Sequence, residues 1–145
     1  MKKLIRVGGV CIFKDKILLI HRVVSDETNT NNEYYVIPGG GVELDEEFKS
    51  ALKREMFEET SLDLNIKEIF FEMEDINPSG LKRHHYYYLC EYISGEPKLN
   101  HNSPEFNNGI GLHEPMWLDI SKLENISLYP SKIKEVILKK YNNKV

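Results

Sequence analysis

The order of patterns along the sequence predicts a mixed α/β (α+β) fold in which a mixed sheet packs against helices. Extended segments come first, one strong helical segment follows, and further extended segments precede a final helix. With 145 residues, 41% hydrophobic and 29% charged, the chain is expected to form one domain over residues 1–145. Cys11 and Cys90 each lie in an apolar stretch, which predicts two buried thiols rather than a zinc site.

The first part of the chain predicts a hairpin, a loop and a short strand. Leu4–Phe13 is rich in β-branched and aromatic residues, and residues 17–20 predict the second strand of the hairpin. Residues 25–33 are polar and predict a surface loop. Residues 34–37 predict a short extended segment that ends at Pro38 and three glycines.

The second part of the chain predicts further strands and a helix. Residues 64–73 and 84–93 predict strands on either side of a turn at 77–80. Residues 95–114 predict a long loop, residues 116–118 a short strand and residues 120–124 a helical turn. Ser131–Tyr141 predicts a helix, because Ile133, Val136 and Ile137 recur at helical spacing.

The strongest helix prediction covers residues 45–60, where acids fall on an unexpected face. Asp45 is predicted to cap the helix, and acids in the first turn are predicted to complement its dipole. At about 100° per residue, Glu55 and Glu59 fall on the apolar face, with Glu58 at its edge. That face is formed by Phe48, Ala51, Leu52 and Met56.

Three carboxylates beside the apolar face of a helix oppose its stability. Side chains three or four residues apart lie about 5–6 Å from each other, so like charges there repel. Burial disfavours ionisation, and the C-terminal end of a helix disfavours negative charge. A divalent cation would resolve the conflict, because Mg²⁺ and Mn²⁺ prefer oxygen ligands. The alternative is a solvated acidic stripe on a structural α+β protein, and the helix alone leaves both open.

The residues around this helix resemble the signature of the Nudix hydrolase family (MutT-like). Gly40 is followed after five residues by Glu46, and after seven more by the run from Arg54 to Leu62. This box, residues 40–62, matches every specified position of the signature except the last glycine, where Ser61 stands. A left-handed serine there costs on the order of 1 kcal/mol but removes no metal ligand, so we expect activity to survive.

The resemblance spans roughly the whole chain and implies both a fold and a set of roles. The fold is the Nudix-type α/β/α sandwich with a central mixed sheet. Arg54 is expected to act in catalysis by orienting carboxylates, and Glu46 to support the site. The implied cofactor is Mg²⁺, with Mn²⁺ as an alternative. Its implied ligands are Glu55, Glu58, Glu59 and the backbone of Gly40.

The general base has several candidates. Glu55 or Glu58 could accept the proton from water. Some family members instead use a glutamate of a late loop, for which Glu105 and Glu114 are the candidates in this chain.

Substrate contacts are expected from the segments flanking the box. Arg6 and Arg83 are further candidates for phosphate contact. His84 and His85 alternate across a predicted strand, so only one of them can face a site. The residues expected to bind substrate are Arg22, Tyr35, Gly39 and Gly41.

The resemblance implies metal-dependent hydrolysis of a phosphoanhydride bond in a nucleoside diphosphate linked to another group, such as an NTP, a dNTP or ADP-ribose. A non-catalytic nucleotide-binding or regulatory module of the same fold is the alternative, and RNA decapping is a different substrate choice. The net charge of −4 argues against a DNA partner. No stretch approaches transmembrane length and no signal peptide is evident, so a cytoplasmic location without membrane contact is expected. A homodimer is common in the family.

Overall fold

The computed structural model describes residues 4–25, 31–98 and 112–141. Within these ranges the secondary structure comprises eight strands, two α-helices and a 3₁₀ helix at Ile120–Asn125. The α-helices are α1 (Phe48–Thr60) and α2 (Ser131–Tyr141). The strands are β1 (Leu4–Phe13), β2 (Lys16–Ser25), β3 (Asn31–Val36), β4 (Gly39–Gly41), β5 (Asp63–Ile76), β6 (Lys82–Ser94), β7 (Leu112–Asp119) and β8 (Leu128–Tyr129).

The strands described form one curled mixed sheet in which β1 connects two halves. Its first part lies between β6, with which it runs parallel, and the short strand β4, with which it runs antiparallel. Its last two residues, Ile12 and Phe13, pair with β2. Beyond β2 lie β3 and β7, and β3 pairs in parallel with β8. Strand β5 pairs antiparallel with β6 on the other side.

Each face of the sheet is covered by one helix, which confirms the predicted α/β/α arrangement. Because side chains alternate along a strand, β1 sends Val7 and Cys11 to one core and Val10 to the other. Helix α1 closes the first core with Ala51, Leu52 and Met56. Helix α2 closes the second with Ile133 and Ile137.

Helix α1 begins later than its sequence predicts. Asp45 has a left-handed backbone (φ 64°) in a turn, and the N-cap is Glu47, whose side chain makes no capping hydrogen bond. The predicted cap at Asp45 and the acidic first turn are therefore wrong. The loop from Gly41 to the helix instead uses its acids for contacts with the helix side chains, as described below.

Helix α1 ends at Ser61 in the left-handed conformation expected there (φ 62°). Its N–H donates to the carbonyl of Phe57, and its hydroxyl donates to the carbonyl of Lys98 at 2.7 Å. The serine thus tolerates a backbone that favours glycine while gaining a hydrogen bond that glycine lacks.

Two predicted loops are shorter than expected. Strand β2 continues to Ser25 and β3 begins at Asn31, so much of the predicted loop 25–33 is paired strand. Strand β7 begins at Leu112 rather than residue 116, so Glu114 lies in a strand. Both predicted buried thiols are confirmed as free and buried, and burial raises the pKa of Cys11 to about 12.

Neither helix of the described chain is long and apolar enough to cross a membrane.

Candidate active site

The glycine strand β4 lies directly against Glu55. A Cβ placed on Gly40 would lie 2.6 Å from Glu55 Oε1, far inside van der Waals contact, so only glycine leaves room for the carboxylate. The next glycine, Gly39, donates its backbone N–H to Glu59 Oε1 at 3.0 Å. The strand therefore brings the start of the box against the carboxylates of its helix.

Glu55 is held in a half-buried position where ionisation is disfavoured. Burial is the largest cause, and nearby Glu59 and Glu58 add repulsion, whereas Arg54 opposes the shift. Together these effects raise the pKa of Glu55 to about 7. Its side chain is 17% exposed, and Arg54 Nη1 donates to its Oε1 at 2.9 Å.

Arg54 links the loop before α1 to the helix. Its Nε and Nη2 both donate to the carboxylate of Glu46 at 2.9 Å, which is a bidentate pair. Hydrogen bonds from Arg54 and from the backbone N–H of Glu43 hold the pKa of Glu46 at about 2. Arg54 Nη1 also lies 3.6 Å from Glu58 Oε2. One guanidinium thus orients three glutamates, which supports the positioning role expected of Arg54.

The predicted ligand carboxylates point in two directions. Glu55 and Glu58 turn towards Arg54, whereas Glu59, 6% exposed, turns towards Gly39 and His113. In the described residues no three His, Cys, Asp or Glu side chains converge on one point. The carboxylates and the backbone carbonyls of β4 are nonetheless the hard oxygen donors that Mg²⁺ prefers.

A cavity of about 470 Å³ opens beside these residues, between the two halves of the sheet. Gly39, which immediately precedes the box, and Glu59 of the box lie in its wall. Two neighbouring cavities, of about 370 and 530 Å³, include none of Glu55, Glu58 and Glu59 in their walls. The side chains that line the 470 Å³ cavity include three arginines, two histidines and two tyrosines: Arg6, Arg22, Arg83, His85, His113, Tyr87 and Tyr129.

The wall contributed by β5 and β6 contains a fixed polar network. Arg83 donates two hydrogen bonds of 2.8 Å to Asp75, and His85 Nε2 lies 2.9 Å from the same carboxylate. The hydrogen bond from Arg83, followed by the contact with His85, holds the pKa of Asp75 at about 2. His85 faces the cavity, whereas His84 lies between Glu72 and Glu74 on the opposite face, as their alternation predicts.

The opposite wall brings Arg22 of β2 beside His113 of β7. These two residues are paired across the strands. His113 Nε2 lies 3.4 Å from Glu59 Oε2. Neither His113 nor Asp75 was predicted from the sequence to belong to the site. His113 and Trp117 are four residues apart, so on one continuous strand their side chains lie on the same face of the sheet. Extension of the predicted strand upstream of Trp117 would therefore have placed His113 on the sheet face that α1 covers.

Three candidates for substrate binding or the general base lie away from the cavity, and one of them, Gly41, lines the 530 Å³ cavity instead. Tyr35 stacks on His21, on the opposite face of the sheet from Arg22, and is not among the residues of the cavity wall. Glu114 is exposed and follows His113 in the strand, so its side chain points away from Glu59. The structure therefore does not bring Tyr35 or Glu114 to the site, and Glu105 lies outside the described residues.

A comparison with family models matches the NUDIX domain over residues 2–138. The chain therefore belongs to the Nudix family, as the resemblance of its box implies. This defines it as a hydrolase that acts on phosphoanhydride bonds of nucleoside diphosphate derivatives. A comparison with curated protein sequences found no match.

Solved structures share this fold. The ORF135 protein of E. coli is 21% identical, with a TM-score of 0.73, and the match covers 100% of this chain and 96% of that protein. The MutT protein of Methanosarcina mazei Go1 is 22% identical, with a TM-score of 0.71 and 99% coverage of both chains. An ADP-ribose pyrophosphatase of Streptococcus suis is 18% identical, with a TM-score of 0.62, and the match covers 99% of this chain and 96% of that chain. Identities at this level establish the fold alone.

Proposed function

We propose that this chain is a Mg²⁺-dependent pyrophosphohydrolase of a nucleoside diphosphate linked to another group. The observation that carries the proposal is the cavity lined by Gly39, by the box residue Glu59 and by three arginines. Acidic residues there offer oxygen ligands to a cation, and arginines offer donors to phosphate. A cavity of about 470 Å³ is within the range of small-molecule sites.

Glu55, Glu58, Glu59 and the carbonyl of Gly40 would hold the metal. When bound, Mg²⁺ supplies positive charge to the phosphate oxygens and lowers the pKa of an attacking water. The carboxylate of Glu55 occupies the space that a Cβ of residue 40 would fill, and this closeness to Gly40 supports the ligand set. The acidic cluster carries more negative charge than Arg54 neutralises, which also favours a cation.

The remaining roles are the orientation of the carboxylates and the acceptance of a proton from water. Arg54 orients Glu46, Glu55 and Glu58 through the contacts described above. Glu58 is the most exposed of the three carboxylates, at 37%, and so has the best access to a water whose proton it could accept. Glu55 is the second candidate, because a pKa of about 7 suits a base at neutral pH.

The proposal is tested by the release of phosphate or nucleotide from a substrate panel, with and without Mg²⁺ or Mn²⁺. The panel contains dNTPs, oxidised dNTPs, ADP-ribose, dinucleoside polyphosphates and nucleotide sugars. Glu58→Gln should reduce metal-dependent turnover at least a hundredfold. Glu47→Gln is the matched control, because Glu47 is an exposed glutamate just before the same helix. Metal binding without turnover of any substrate would instead favour the non-catalytic nucleotide-binding module.

A further inference from the structure

Buried polar atoms without partners gather at one point of this molecule. Among the described residues, the buried side-chain nitrogens that lack a hydrogen-bond partner are Arg22 Nε and both ring nitrogens of His113. Other buried polar side chains are bonded: Thr60 donates to the carbonyl of Met56, and Glu59 accepts from Gly39. Because nearly all buried polar groups in proteins are paired, such a concentration indicates a hydrogen-bonding partner from outside the chain.

The two side chains lie side by side. Arg22 and His113 are register partners of the antiparallel strands β2 and β7, so their side chains stand on the same face of the sheet. Both line the 470 Å³ cavity, and the side chain of His113 is only 11% exposed. The residues that carry the unpartnered nitrogens therefore line the same cavity as Gly39 and Glu59.

The contact between His113 and Glu59 does not satisfy the histidine. Its Nε2 lies 3.4 Å from Glu59 Oε2, but the two atoms lack hydrogen-bond geometry. Glu59 Oε1 already accepts the N–H of Gly39 at 3.0 Å. The imidazole thus lies between Glu59 and Arg22, and its N–H donor has no hydrogen-bond partner.

We infer that His113 and Arg22 form a subsite that binds a phosphate oxygen of the substrate, with His113 as a binding residue next to the box. A neutral imidazole carries one N–H donor and a guanidinium carries five, and phosphate oxygens accept from both. This inference rests on the proposed hydrolysis of nucleoside diphosphate derivatives, because it assigns the diphosphate of that substrate to this wall.

A purely structural role for His113 predicts that its replacement changes stability and leaves phosphate binding unaffected, whereas a binding role predicts the reverse. Replacement of a buried polar side chain that lacks a partner by an apolar ring of similar shape is neutral or stabilising. His113→Phe should therefore fold at least as stably as the wild type. If His113 also binds phosphate, the same substitution should weaken ligand binding, so stability and binding would move apart.

The test is a calorimetric titration with methylenediphosphonate in Mg²⁺, together with thermal unfolding. This diphosphate analogue resists hydrolysis and has no base, so it reports the phosphate site alone. His113→Phe should bind it about tenfold more weakly than the wild type, without loss of thermal stability. His113→Gln keeps an N–H donor and should recover most of the affinity.

His21→Phe is the matched control, because His21 lies one residue before Arg22 on the opposite face and its Nε2 is paired with Glu33. Its affinity for the analogue should equal that of the wild type. Equal affinities of His113→Phe and the wild type, an equal loss in His21→Phe, or no binding by the wild type would each overturn the inference. Failure of the substrate panel with intact binding of the analogue would instead count against the proposed hydrolysis.

Steady-state kinetics on an active substrate provide a second readout. Loss of a phosphate contact that is made equally in the ground and transition states raises KM with little change in kcat. His113→Phe should therefore raise KM about tenfold. A fall in kcat at unchanged KM would contradict the binding role.

Discussion

Substitution of Gly40 by alanine should separate activity from stability. The added Cβ would lie 2.5 Å from Glu55 Oε2 and closer still to Cδ, and ordinary contact begins at 3.4 Å, so the carboxylate must move by at least about 0.9 Å. Gly40 is not among the glycines with positive φ, so alanine adds no backbone strain. The displaced group is the end of a flexible side chain, and the free energy of unfolding should change by less than about 1 kcal/mol.

The activity should fall far more than the stability. A misplacement of about 1 Å at a reacting centre can lower the rate about a hundredfold, which corresponds to roughly 2.7 kcal/mol of activation free energy. The assay is kcat/KM for Gly40→Ala in Mg²⁺, beside urea unfolding of the same sample. Calorimetric titration with Mg²⁺ should show weaker binding.

A double-mutant cycle with Glu55→Ala supplies the decisive control. If the overlap between Gly40→Ala and Glu55 causes the loss, the alanine at residue 40 should have no further effect once the Glu55 carboxylate is removed. Independent effects that multiply in the double variant would refute the steric argument. A large loss of stability in Gly40→Ala alone would also contradict it.

Three further substitutions test the electrostatics, the helix end and the orienting arginine. The hydrogen bond from Arg83 lowers the pKa of Asp75 from its ordinary 3.8 to about 2. The ionised Asp75 therefore stabilises the fold above pH 4, and this stabilisation is lost as the pH falls towards 2. Asp75→Asn should be less stable than wild type at pH 7 in urea titrations, and a gap that does not narrow below pH 4 would contradict this assignment. Ser61→Ala keeps the strain of the left-handed backbone and loses the hydrogen bond to Lys98. Its free energy of unfolding should be about 1 kcal/mol below that of Ser61→Gly, and the reverse order would contradict the argument from backbone strain. Arg54→Lys keeps the charge but loses the bidentate geometry, so kcat/KM should fall roughly tenfold, whereas an unchanged rate would remove its positioning role.

The box could be found from the sequence because its chemistry is local. Residues three and four apart on a helix are neighbours whatever the rest of the chain does, so the adjacent positions of Glu55, Glu58 and Glu59 on one helix follow from spacing alone. The left-handed backbone at Ser61 and the opposite faces of His84 and His85 follow from similarly local rules. The order of strands and helices was sufficient for the fold class.

The start of α1 could not be predicted from its residues. Asp45 is a good capping residue in isolation, but the bidentate contact of Glu46 with Arg54 lies across the helix surface and fixes the loop differently. A cap of about 1 kcal/mol is small beside such a network. The sequence alone shows the acidic residues of this loop but does not show which of them forms the hydrogen bonds with Arg54.

The sequence by itself determined the family, the fold class and the acidic helix of this protein, because all three depend on composition, order and short-range spacing. Only the tertiary structure decided which residues surround the cavity. It turned Tyr35 and Glu114 away and brought His113, Arg22, Asp75 and Arg83 around the space beside Glu59. These residues come from the strands β2, β5, β6 and β7, and their meeting depends on strand pairing and register. A shift of register by one residue would exchange the two faces of a strand, so no local pattern could determine the wall of this site.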